Sequence, residues 1–92
     1  MSEFAIQHDA TAHVFSVDVD SHRGVVDYAL RDGVMTMTHT GVPEAVRGRG
    51  VAAQLVRVAL DTARTNGWKV IPACSYAAAF IRRHNEYADL LA

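Results

Sequence analysis

The residues with the most evident chemistry are Arg47-Gly48-Arg49-Gly50, followed directly by Val51-Ala52-Ala53 at the head of a long periodic segment. Glycines let backbone approach a ligand with no Cβ in the way, and the first amides of a helix have no intrahelical carbonyl to bond. Such amides lie at the positive end of the helix dipole, so this stretch reads as a cradle for a phosphate. Arg47 and Arg49 add permanent planar cations, which match phosphate oxygens better than lysine does.

The elements around the cradle follow from hydrophobic period. Phe15, Val17 and Val19 alternate with polar residues, as in a strand with one buried face. Asp20-Ser21-His22-Arg23-Gly24 reads as a turn, and Val25 to Leu30 as a second strand with Val26, Tyr28 and Leu30 on one face. Asp32-Gly33 supplies a tight hairpin into a third strand, Val34 to Thr40, with Met35, Met37 and His39 sharing a face. After Pro43 the period becomes helical, carried by Val51, Ala52, Leu55, Val56, Ala59, Leu60 and Ala63 and closed by Gly67. Lys69 to Cys74 is then a short strand interrupted at Pro72, and Tyr76 to His84 a second helix with Arg82 and Arg83 turned outward. The expected order is β-β-β-α-β-α, a mixed α/β (α+β) fold in which an antiparallel meander leads into a parallel βαβ unit.

Three phosphate motifs compete for the cradle. A Walker A loop needs a Gly-Lys pair, which the chain lacks. The dinucleotide fingerprint is matched in form by Gly48, Gly50 and Ala53, yet Val70-Ile71-Pro72-Ala73 stands where its acidic residue belongs. Arg47-x-x-Gly50-x-Ala52 fits the third pattern, [QR]-x-x-G-x-[GA], and resembles the pyrophosphate-binding signature of the GNAT superfamily of N-acetyltransferases. His39-Thr40-Gly41-Val42-Pro43, Pro72-Ala73-Cys74 and Arg82-Arg83-His84-Asn85-Glu86-Tyr87 sharpen the likeness to a minimal GNAT-like group, from about Phe15 to Leu90.

That resemblance implies the minimal GNAT fold and acetyl-coenzyme A as co-substrate. It places the pyrophosphate on the amides of the Arg47-Gly48-Arg49-Gly50-Val51-Ala52 segment and the pantetheine arm along Gly41 and Val42. It sets His39, Thr40, Cys74 and Ser75 where two strands part around the thioester, with the Val42 amide donating to the oxyanion. Two departures stand out. Phe80-Ile81 replaces the usual pair whose tyrosine protonates the departing thiolate, and Asn85 replaces a proline, which suggests a looser C-terminal turn. The two helices that wall the acceptor site in larger members are missing, which favours an exposed lysine or N-terminus over a small amine.

Each candidate also has a plain structural reading. Cys74 is either a nucleophile that carries the acetyl group or a small filler at a strand end. His39 is either the base that deprotonates the amine or a strand-end cap. His8, His13 and His22 show no ligand spacing, so no metal is expected. Tyr28, Tyr76 and Tyr87 read as core or rim aromatics.

Composition sets the outer limits. Ninety-two residues with nine basic and ten acidic side chains, net charge −1, suit one domain spanning 1–92, with 1–11 flexible or an extra strand. The charge argues against a nucleic-acid or anionic-membrane binder, and the lone Cys74 fits a cytoplasmic protein without disulfides. The resulting expectation is an N-acetyltransferase, a monomer or weak dimer, acting on an amine acceptor. A coenzyme A binding module with little catalysis is the alternative.

Overall fold

The computed structural model describes residues 4–92. Strands β1 (Gln7–Asp9), β2 (Val14–Val19), β3 (His22–Arg31) and β4 (Val34–Gly41) precede helix α1 (Val51–Thr65), strand β5 (Lys69–Pro72) and helix α2 (Ser75–Arg83). The five strands form one sheet in the order β1-β2-β3-β4-β5, antiparallel except for the parallel β4–β5 pair. The fold is the mixed α/β class that the pattern implies, with one strand added at the edge.

The turn between β2 and β3 is shorter than the polar run Asp20 to Gly24 suggests. Asp20 and Ser21 alone turn the chain, with φ of 49° and 65°, and His22, Arg23 and Gly24 pair with Val19, Asp18 and Val17. Two residues of positive φ match the twist of the flanking strands, so a polar sequence is drawn into the ladder. Gly24 serves packing here: a Cβ would lie 3.2 Å from both Leu55 and Val51. Asp32 and Gly33, at φ 52° and 75°, make the corresponding turn into β4.

A second correction concerns His39. Tyr28 pairs with Met37 but Asp27 pairs with His39, so the ladder skips Thr38, whose hydroxyl donates to the Asp27 carbonyl at 3.2 Å. One extra residue reverses the alternation that follows it. Met35 and Met37 are buried beneath the helices, Thr40 follows them on that face opposite the buried Val26, and His39 lies on the other face.

Both helices cover the same side of the sheet. The apolar stripe of α1 (Val51, Leu55, Val56, Ala59, Leu60, Ala63) and Ala77, Phe80 and Ile81 of α2 join Phe15, Val26, Met35, Met37 and Val70 in one core. No described helix packs on the opposite face, where Ala29, His39 and Ile71 are exposed. At the C-terminus, Asn85–Leu90 forms a 3-10 helix in place of the loose turn suggested by Asn85. Its Tyr87 hydroxyl donates to Asp61 at 2.8 Å and accepts from Arg57 at 3.2 Å, while Arg64 grips Asp89 at 2.8 and 2.9 Å.

The edge strand carries a pH response. The His8 ring stacks on Phe15 at 4.1 Å and its Nε2 bonds the Tyr28 hydroxyl at 2.5 Å. Desolvation holds His8 below its ordinary pKa of 6.5, helped by His13 and opposed by Asp9. Its folded-state pKa thus lies below the unfolded one, so the contribution is complete above 6.5 and is lost as pH falls through the folded value. Thermal unfolding should show a midpoint that drops on acidification from pH 7 to 5, with a shallower drop in His8→Gln.

Candidate active site

β5 stops short of β4. Their pairing ends at Met37–Pro72, and one further bond, from the Cys74 amide to the Met37 carbonyl at 3.0 Å, closes the contact before the chain turns into α2. Strand β4 runs on to Gly41, so residues 38 to 41 present an edge that β5 does not cover. Beside this edge lies a groove of about 790 Å³, continuous from His39 and Tyr76 at one end to Gly48 and Gly50 at the other. It is therefore bounded by an open strand edge, which can pair with an extended polar ligand, and by the start of a helix.

The helix start has the form required of an anion cradle. Gly48 and Gly50 adopt φ of 83° and 80°, a region that costs other residues about 1–2 kcal/mol. A Cβ on either would meet no heavy atom within 4 Å, so the space beside them is free for a ligand. No side chain caps α1, and its first turn holds no acidic residue, so no carboxylate competes for the first amides. Ala52 and Ala53 line the groove and keep the approach to those amides open. These features fit a diphosphate bound at this end.

The two arginines diverge. Arg47 lines the groove and folds back so that its Nε donates to the Val42 carbonyl at 3.1 Å, tying the loop to the end of β4. Arg49 does not line the groove; its guanidinium pairs with Asp20 in the β2–β3 turn at 2.6 Å. Val51, only 2% exposed, contributes a groove wall with Thr40, Gly41 and Val42.

At the other end, the skipped residue in β4 separates the two polar candidates. Thr40 Oγ1 lies 3.3 Å from Cys74 Sγ, and that sulfur also accepts the Ala77 amide at 3.3 Å, capping α2. Cys74 and Ser75 do not line the groove. His39 lines the groove from the uncovered face, and Gly41 makes room for it, since a Cβ there would sit 2.8 Å from His39 Nε2. His39 and Cys74 are thus on opposite sides of β4, and Thr40 is the polar neighbour of the thiol.

Arg23, Val25 and Tyr76 are among the groove residues that the sequence does not mark as site candidates. Arg23 and Val25 line the groove because β3 begins at His22, which the two-residue turn explains. Tyr76, 41% exposed, lines it from the first turn of α2. The usable signal was its position two residues after Cys74, which caps α2, at a helix start beside the parted strands.

The sheet thus opens between two parallel strands, and an uncapped helix N-terminus lines the same groove as the opening. Residues 14–90 match the family described as GCN5-related N-acetyl-transferase, and the chain belongs to that family. Among its relatives is Protein NATD1 of Mus musculus, 30% identical over 82 residues, or 86% of this chain and 74% of the relative. The Danio rerio NATD1 is 31% identical over 90 residues, covering 91% and 81%. A GCN5-like protein from Staphylococcus aureus, determined by NMR in solution, superposes with a TM-score of 0.75 at 26% identity over all of this chain and 91% of its own.

Proposed function

We propose that this chain transfers an acetyl group from acetyl-coenzyme A to an exposed amine, on a protein lysine or N-terminus. The observation that carries the reading is the joining, in one groove, of the glycine-flanked α1 start with the uncovered edge of β4. The amides of Gly50, Val51 and Ala52 would hold the diphosphate, and Gly41 and Val42 would pair with the pantetheine arm. This runs the thioester toward Thr40 and His39.

Transfer then needs three tasks. His39, exposed on the uncovered face, takes the proton that the attacking amine gives up. The Val42 amide donates to the carbonyl oxygen as its charge develops, a contribution of about 3 kcal/mol for such donors. The departing thiol, with an ordinary pKa of about 8.5, leaves without full protonation. The connection between β1 and β2 is only residues 10–13, so no described element walls the acceptor side. This supports an acceptor that brings its own surface. A lone free thiol at Cys74 is consistent with a cytoplasmic setting.

The Cys74 sulfur already has two partners, Thr40 and the Ala77 amide, which supports a structural duty and direct transfer from thioester to amine. Acid quenching after incubation with radiolabelled acetyl-coenzyme A should leave no label on the protein. Label that disappears in Cys74→Ala would establish a covalent route instead. The alternative, a coenzyme A binding module, is separated by assay: binding in calorimetry with no turnover across lysine peptides and free amines would select it.

A further inference from the structure

We infer that Asp27 is the residue that selects a positively charged acceptor, by receiving the ammonium group before His39 removes its proton. The inference rests on the acyl-transfer reading above. Asp27 and His39 are direct cross-strand partners in the β3–β4 ladder, brought opposite each other by the skipped Thr38. Both occupy the uncovered face, and side chains paired this way hold their Cβ atoms about 4.5–5.5 Å apart. Along β3 the same face runs Arg23, Val25, Asp27; the first two line the groove and Asp27 lies just beyond its end. An acceptor crossing the open sheet toward the thioester therefore passes this carboxylate beside His39.

Its state of pairing distinguishes it from its neighbours. Asp18 is engaged by Arg23 at 3.5 Å, Asp20 by Arg49 at 2.6 Å, and Asp32 by Arg31 at 4.0 Å. Among the described residues no side chain pairs with the half-buried Asp27 carboxylate; the Thr38 hydroxyl donates to its backbone carbonyl instead. Residues 7 to 42 hold five aspartates against two arginines, so the strand region as a whole is net acidic. A carboxylate without a partner beside a candidate base suits a primary ammonium, as on lysine, and gives no advantage to an uncharged aromatic amine.

The test uses the full chain with acetyl-coenzyme A, a lysine-containing peptide and an uncharged arylamine as acceptors. Asp27→Asn should raise KM for the peptide about tenfold with kcat changed far less, and leave the arylamine KM unaltered. Coenzyme A affinity by calorimetry and the thermal midpoint should match the parent, which shows that the groove and fold persist. Asp32→Asn, which removes the same charge at the far hairpin, should leave the peptide KM unchanged. Equal peptide KM for Asp27→Asn and the parent overturns the assignment while acyl transfer stands. Coenzyme A binding without turnover of either acceptor by the parent overturns acyl transfer and the assignment with it.

Discussion

Gly50→Ala should weaken coenzyme A binding about thirtyfold in calorimetry, equivalent to about 2 kcal/mol. Gly50 sits at φ 80° and immediately precedes the first amide of α1. Beyond its chain neighbours a Cβ there meets no protein atom within 4 Å, so apart from the backbone cost of its φ the added methyl conflicts only with what occupies the cradle. Displacing a diphosphate from even one amide forfeits a hydrogen bond to a charged group, about 1.5–3 kcal/mol. The backbone cost of a positive φ must be separated from this loss, and Gly67 provides the control. It has φ 71°, also with nothing within 4 Å of a built Cβ, but lies beyond the other end of α1. Gly67→Ala should lower stability by a similar amount, about 1 kcal/mol, and leave the coenzyme A affinity intact.

His39→Gln should reduce kcat about 100-fold, within the range that general bases contribute, with coenzyme A affinity unchanged. The side chain is exposed and makes no core contact, so the variant should fold as the parent does. Its Nε2 projects over Gly41, at the groove end opposite the glycine cradle, which is why binding and turnover are expected to separate. If kcat is unchanged, proton removal falls to solvent or to another group, and His39 is a strand-end residue that merely lines the groove.

The two halves of the site were not equally legible in the sequence. Gly48, Gly50 and the arginines announce an anion cradle because glycine spacing before a periodic helix has few other uses, and the period change after Pro43 marks the helix start. The sheet order also follows from short turns and one crossover. The orientation of His39 was hidden, because the extra residue at Thr38 leaves no compositional mark; Thr-Met-Thr-His-Thr alternates equally well with or without a skipped rung. Arg49 was hidden for another reason. Its carboxylate partner, Asp20, is far away in sequence, so a cation assigned to phosphate by proximity is drawn to the β2–β3 turn. Tyr76 looked like any rim aromatic until the end of β5 was fixed.

An account built on the α1 start is tested most directly by titrating ¹⁵N-labelled protein with coenzyme A and following its amide signals. The largest shifts should fall on Gly48, Gly50, Val51 and Ala52, with a second set at Gly41 and Val42. Saturation that leaves those glycine and helix-start amides where they were, or no response at millimolar ligand, would contradict it.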